Sequence, residues 1–369
     1  MIPVLHILGF CRLQFYITQA DTNRAQLLHQ IRHALIEVGF LLLTNYQDYG
    51  PTREDIAAIT EQAEEFFKLP QSVKDGCSMI HSKHFLGYTR LANEITAGRI
   101  DWREQIDLAT ELPAPPKDAP IYRNIEGPNL WPDEKAAPKF RPVVLHWIDK
   151  MTQLSTYFRQ LVCEALGIDK GAMEGYFKEN QQCKMKIVAY PDAGALTSND
   201  GQSKPDGQGV GPHRDSDFLT YIHQATPHTC LEVQNFQGDW IPVENVPNTL
   251  VVNVGQTLEA ITQGVCKATI HRVITPKSGS GTRISIPFFS TIDLDARKAA
   301  LGLPDEVLKL RDERDKMIDK WAVDVGFQFS PDLAKYPVGR AVFQNRIKSH
   351  QDVAQKWWPE VYKEVMLQF

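Results

Sequence analysis

Between residues 184 and 290 the chain reads KMKIVAY (184–190), FLTYIHQ (218–224), CLEVQNF (230–236), DWIPV (239–243), TLVVNV (249–254), TIHRVI (269–274) and TRISIPFFS (282–290). Each run is short and rich in β-branched and aromatic residues, and Gly, Asn, Asp or Pro separates one from the next. Seven such strands at nearly even spacing, with no helical pattern between them, predict an antiparallel double-sheet barrel rather than βαβ units.

Outward from that β-core the texture turns helical on both sides. Leu27, Ile31, Ala34 and Leu35 fall on one stripe of helical period, and Val38 to Asn45 then reads as a short buried strand. A second helix is predicted from Arg53 to Phe67, stopped by Pro70. Prolines cluster between 112 and 138, which marks an irregular excursion over the surface. Helix resumes over 138–180, with Val143, Val144, Trp147, Met151 and Leu154 spaced for a buried face. It returns again over 303–369, with Pro304 at a first helical position. The expected class is α+β. The expected division is a mainly helical N-terminal region (1–125), a long helix plus catalytic β-core (126–295) and a C-terminal helical region covering the site (296–369), all one catalytic unit.

Composition narrows the partners. The 369 residues carry 40 Lys and Arg against 45 Asp and Glu, a formal charge of −5, and 43% are apolar. These values exclude a disordered or collagen-like chain. A mildly acidic balance argues against general nucleic-acid or anionic-membrane binding. The opening MIPVLHILGF lacks a basic n-region, and the longest apolar runs fall far short of the ~20 residues that span a bilayer. Six scattered cysteines without a C-x-x-C pair read as reduced thiols. A soluble, cytoplasmic, monomeric protein acting on a small molecule is expected.

The chemistry gathers near His213-Arg214-Asp215, just after the polar stretch 198–211, which is predicted to be a loop and a candidate lid. Read as opening a strand, His213 and Asp215 share a face and Arg214 points away. An imidazole and a carboxylate at that spacing suit a divalent metal, and His271 supplies a candidate third ligand. Two His and one carboxylate on one face leave the opposite positions open, the ligand set of non-haem Fe(II) oxygenases. Twelve residues past His271, Arg283 and Ser285 also share a strand face. A guanidinium fork beside a hydroxyl is a carboxylate receptor.

With these residues in view, the chain from about 30 to 290 resembles the 2-oxoglutarate/Fe(II)-dependent dioxygenases of the isopenicillin N synthase-like group. The resemblance is carried by Val38-Gly-Phe, Phe66-Phe-Lys-Leu-Pro, Gly87-Tyr, Asp101-Trp-Arg-Glu, Met185-Lys-Ile-Val-Ala-Tyr-Pro, His213-Arg-Asp, Gly238-Asp-Trp-Ile, Val251-Val-Asn-Val-Gly, His271-Arg-Val and Arg283-Ile-Ser. It implies a distorted double-stranded β-helix, or jelly roll, with Fe(II) on His213, Asp215 and His271. It also implies O2 as oxidant and 2-oxoglutarate as cosubstrate, its far carboxylate on Arg283 and Ser285, with Tyr190 and Lys186 alongside. Three positions depart from the usual pattern: Arg214 between the first two ligands, Val188 in place of an Asn, and Gln256 in place of the Asp of a structural turn. None removes a ligand.

Substrate contacts are implied more thinly. Glu94 to Asp101 resembles a segment of the ethylene-forming branch, whose matching Glu and Thr help bind arginine; the positions here are Glu94 and Thr96. The segment from Gly339 to Asp352 aligns by spacing with another substrate-contacting stretch of that branch, placing Arg346 and Lys348 as candidates. Lys348 and Ser349 stand where that branch has Arg and Cys. The motifs leave open hydroxylation, desaturation or cyclisation of a small molecule, fragmentation of 2-oxoglutarate to ethylene with arginine, a 2-oxoglutarate-independent oxidase like isopenicillin N synthase, and a non-catalytic binding protein. His223 and His228 read as structural histidines. The charged run 308–320 reads as a solvated helix face.

Overall fold

The computed structural model describes residues 12–14, 21–96, 99–196, 207–297, 300–317 and 336–367. The opening stretch with Cys11, and all but the last residues of the 198–211 loop, lie outside the described residues.

In chain order the first elements are β1 (Arg12–Gln14), α1 (Asp21–His33), β2 (Phe40–Thr44), α2 (Arg53–Lys68) and α3 (Gln71–Gly76). They are followed by β3 (Gly87–Thr89), β4 (Glu94–Thr96), β5 (Arg99–Asp101), β6 (Glu104–Ala109) and the long α4 (Phe140–Ala165). The predicted β-core then runs as β7 (Lys184–Tyr190), β8 (Gln208–His213), β9 (Leu219–Gln224), β10 (Leu231–Gln234), β11 (Trp240–Pro242), β12 (Leu250–Val254), α5 (Gln256–Ile261), β13 (His271–Ile274) and β14 (Arg283–Ser290). α6 (Asp305–Met317), α7 (Val338–Ser349), α8 (Gln351–Trp357) and α9 (Pro359–Met366) close the chain.

The strands form two facing sheets of a jelly roll. The larger has the order β1-β2-β12-β9-β14-β7-β6-β3 and the smaller β11-β10-β13-β8, with β4 and β5 as a separate hairpin. All pairings are antiparallel except β1 on β2. The β-structure therefore reaches beyond 184–290, because the N-terminal region contributes β2 beside β12 and β6 beside β7. β2 enters the sheet through a tight joint. After α1 a π-helical turn (Ala34–Val38) ends at Gly39, whose φ of 76° is left-handed, and a Cβ there would lie 2.2 Å from the Lys267 carbonyl oxygen.

α4 packs on the outer face of the larger sheet. Val144, Trp147, Ile148, Met151, Leu154, Phe158, Leu161 and Val162 are all buried, as their period requires. The predicted helix over 138–180 is shorter than expected. It stops at Ala165 because Gly167, at φ 73°, turns the chain. α2 begins on a capping box, Thr52 Oγ1 accepting from the Asp55 amide at 3.2 Å and Asp55 accepting from the Thr52 amide at 2.8 Å. Pro304 precedes α6 rather than opening it, its carbonyl accepting from the Val307 amide. Cys77, Cys163, Cys183, Cys230 and Cys266 are free and buried. No helix among the described residues is long and apolar enough to cross a membrane.

One strand escaped the sequence reading. Gln208–His213 belongs to β8, not to the loop, although two of its six residues are glycines. The glycines answer a packing demand: a Cβ on Gly209 would lie 2.9 Å from the Tyr190 ring and 3.0 Å from the Val273 carbonyl.

Candidate metal centre and active site

β8 ends, rather than begins, at His213, and its ladder partner on β13 is His271. Antiparallel pairing brings the two imidazoles side by side, ring centroids 4.3 Å apart. Each Nδ1 faces a carbonyl oxygen, Gly211 at 2.8 Å for His213 and Thr269 at 3.2 Å for His271. An Nδ1–H donated there fixes the tautomer and leaves both Nε2 lone pairs facing the sheet interior. Phe40 holds the His271 ring edge-on at 5.3 Å.

Asp215 lies just past the end of β8 and is tied to the other sheet. Its Oδ2 accepts from Thr220 Oγ1 on β9 at 2.5 Å and from Asn253 Nδ2 on β12 at 2.9 Å. Its Oδ1 is turned to the two imidazoles, 3.5 Å from His213 Nε2 and 3.7 Å from His271 Nε2. The three ligand atoms lie within 4.8 Å of one another, and among the described residues no other such group of His, Cys, Asp or Glu is present. Their electrostatics are those of a coupled cluster. Burial opposes ionisation of Asp215, but the two imidazoles hold its carboxyl far below the usual carboxylate range. Burial, with His213 nearby, pushes His271 down to about 4. Two imidazoles beside an ionised carboxylate fit a divalent cation of borderline hardness.

Because β8 has ended, the strand alternation assumed for Arg214 does not hold. Its side chain lines the cavity instead of facing outward, and its carbonyl accepts from Gln256 Nε2 at 3.2 Å. Gln256 thus keeps the turn after β12 attached to the metal loop, a structural role as expected.

The cavity encloses about 760 Å³ between the sheets and is capped by α7. On its floor Arg283 opens β14 opposite Tyr190 on β7, with the guanidinium 5.0 Å from the Tyr190 ring centroid. Arg283 is 1% exposed, and its Nε and Nη1 have no hydrogen-bond partner. Burial pulls its pKa below the usual arginine value. Unpaired buried guanidinium hydrogens are costly, so an anion in this cavity would be a favourable partner. Ser285 shares its face and lines the same cavity.

The remaining sequence candidates also line the cavity, but protein groups engage several of them. Glu94 is paired with Arg103 at 2.8 Å and Lys186 at 3.5 Å, and those cations hold its carboxyl well below the normal range despite burial. Lys186 also lies 3.5 Å from Asp107, so it stands between two carboxylates. Thr96 donates to Asp101 at 2.6 Å, and Arg346 pairs with Asp107 at 3.1 Å. Lys348 lines the same wall. His223 shares a 2.9 Å hydrogen bond with Thr60, and His228 contacts Thr226 and Ser280, consistent with structural roles.

Sequence reasoning missed Thr220, Arg103, Lys184 and Asp217 as members of this chamber, and Asn253 as a partner of Asp215. One signal was available. In KMKIVAY, Lys184 and Lys186 fall on the same parity as Val188 and Tyr190, and lysines on the inward parity of a buried strand are out of place unless a polar chamber receives them.

Comparison with known proteins agrees with this geometry. Residues 2–134 match the family described as the N-terminal region of a non-haem dioxygenase in morphine synthesis, and residues 184–292 match the 2OG-Fe(II) oxygenase superfamily. The chain is 40% identical over 351 residues to a 2-oxoglutarate-dependent dioxygenase, frbJ, of Dothideomycetidae sp. (strain 11243), covering 95% of this chain and 92% of that protein. It is 30% identical over 276 residues to a homoarginine-6-hydroxylase of Arabidopsis thaliana, covering 75% and 80%. In fold it is similar to a putative 2OG-Fe(II) oxygenase family protein of Caulobacter crescentus, with a TM-score of 0.61, 21% identity and coverage of 80% and 96%. It is similar as well to the rice dioxygenase for auxin oxidation, with a TM-score of 0.58, 20% identity and coverage of 86% and 96%.

Proposed function

We propose, for a chain that belongs to the 2-oxoglutarate/Fe(II)-dependent oxygenase superfamily, that His213, Asp215 and His271 hold its Fe(II) and that Arg283 and Ser285 anchor the far carboxylate of 2-oxoglutarate. The activity is Fe(II)- and 2-oxoglutarate-dependent oxidation of a small molecule. Bound there, the metal supplies the redox chemistry by which O2 and 2-oxoglutarate become succinate, CO2 and an oxidised substrate.

The chain's own residues do the placing. Gly211 and Thr269 carbonyls orient the imidazoles, while Thr220 and Asn253 fix the Asp215 carboxylate so that one oxygen remains for the metal. Tyr190 lies against the Arg283 guanidinium and keeps its fork in the chamber. Lys186, neutralised by Glu94 and Asp107, forms the polar wall between anchor and substrate space. α7 closes the chamber from the C-terminal side, so the three regions of the chain act as one catalytic unit.

The observation that carries this reading is the pair of orphaned guanidinium atoms on Arg283, on the wall of the chamber into which the His–Asp–His cluster converges. Anaerobic Fe(II) titration tests the ligand assignment. His213→Ala is expected to lose tight binding, and wild-type affinity in that variant would overturn it. A substrate of amino-acid size is in keeping with a relative named for homoarginine oxidation.

A further inference from the structure

Lys184 is a buried charge that the chemistry above leaves unused. It opens the inward-facing row of β7, is 9% exposed and lines the main cavity. Among the described residues its ammonium makes no hydrogen bond and no ion pair. Its neighbours are differently placed: Lys186 and Arg103 have Glu94, and Arg346 has Asp107. An ammonium removed from water costs several kcal/mol unless an anion answers it, roughly the penalty of any uncompensated buried ion. Burial, reinforced by Arg346, accordingly pulls its pKa down to about 7.

Asp217 presents the complementary charge. It lines the same cavity and, with Lys184, a smaller adjoining one. Its side chain has one long hydrogen bond, from Ser216 Oγ at 3.4 Å. Lys184 and Asp217 line one void without closing to an ion pair. Two opposite charges held apart over a common void are satisfied together by a zwitterion, with its carboxylate on the ammonium and its ammonium on the carboxylate.

The cosubstrate cannot be that partner. Arg283 pairs with Tyr190, whereas Lys184 pairs with Phe289, six residues along the same strands. The two residues therefore stand toward opposite ends of the paired strands, and a five-carbon dicarboxylate that reaches from Arg283 to the metal has no carboxylate left for Lys184. Lys184 is instead level with the metal centre. Lys184, Phe289 and Thr220 form one row across β7, β14 and β9, and Thr220 supports Asp215. Strand spacing puts Lys184 about 10 Å from Thr220, close enough for a molecule held there to reach the iron with its other end.

We propose that Lys184 and Asp217 clamp the carboxylate and ammonium of an α-amino acid, which is the substrate this enzyme oxidises. The proposal deepens the oxygenase reading and rests on it. Two calorimetric titrations of the full chain separate them. Anaerobic 2-oxoglutarate titrated into the Fe(II)-loaded protein reports the oxygenase site alone. The standard L-amino acids, with L-ornithine and L-homoarginine, are then titrated singly into the same protein. At least one should bind, and its decarboxylated amine should bind at least tenfold more weakly. Lys184→Met should weaken the amino acid thirtyfold or more while shifting 2-oxoglutarate less than twofold, and Lys184→Arg should restore it to within about fivefold. Normal 2-oxoglutarate binding with no amino acid bound, equal affinity for the amine, or wild-type affinity in Lys184→Met would each overturn the clamp.

Discussion

At the scale of single residues, the site depends on groups that leave one atom free. Arg283 has unpaired N–H groups on Nε and Nη1, and Asp215 keeps Oδ1 turned to the two imidazoles because Thr220 and Asn253 occupy Oδ2. Arg283→Ala should therefore weaken 2-oxoglutarate by about 2–5 kcal/mol, the usual cost of removing one partner of a buried charge pair. A calorimetric Kd within threefold of wild type would place the anchor elsewhere. Asn253→Ala removes no ligand, yet it frees the carboxylate to turn. Its Fe(II) affinity should fall about ten- to hundredfold, as for other outer partners of metal ligands. Unchanged affinity would assign Asn253 a purely structural role. The His213, Asp215 and His271 cluster was legible because the three form a recognisable pattern along the chain. Asn253 and Thr220 were not, since their importance comes from sheet pairing that no local spacing reveals.

Secondary-structure elements were legible where burial follows a period. α4 buries the stripe that its period implies, and β7 appears where its β-branched run implies it, buried on both faces. β8 was hidden because close approach to Tyr190 and Val273 demands glycine, which reads as loop in isolation. The same contrast explains Arg214: alternation predicts its direction only while the strand lasts, and β8 stops one residue earlier. Two substitutions test these elements. Gly39→Ala forces a side chain into left-handed backbone against the Lys267 carbonyl, and it should cost at least about 1–3 kcal/mol from the backbone alone. Thr52→Ala removes only the α2 cap and should cost about 1 kcal/mol. Urea unfolding measures both. A Gly39→Ala chain as stable as wild type would show that the joint between α1 and β2 is looser than described.

Across the whole molecule, formal charge said only what to exclude, and the working charges are internal. Lys184, Lys186, Arg103 and Arg283 line one cavity, so a near-neutral formal charge conceals a strongly polar interior. Interior histidines give the molecule an acid-sensitive stability. Burial pushes His223 and His350 down to about 4, whereas the unfolded chain's histidines bind protons near pH 6.5, about their ordinary value. Between those values the unfolded state holds more protons than the native one. Stability from these residues is thus whole above about pH 6.5 and is lost as pH falls toward about 4, by roughly 3 kcal/mol each at most. Urea midpoints at neutral and mildly acidic pH should show the loss, and His223→Gln should reduce it. An equal loss in that variant would remove His223 from the account.

The most direct measurement of the central claim is succinate formed from 2-oxoglutarate in air by protein loaded with Fe(II), beside Asp215→Ala and protein loaded with Zn(II). The account predicts succinate in step with 2-oxoglutarate consumed by the Fe(II) protein, and none above background from the other two. Succinate at the wild-type rate from Asp215→Ala or from the zinc-loaded chain would contradict it.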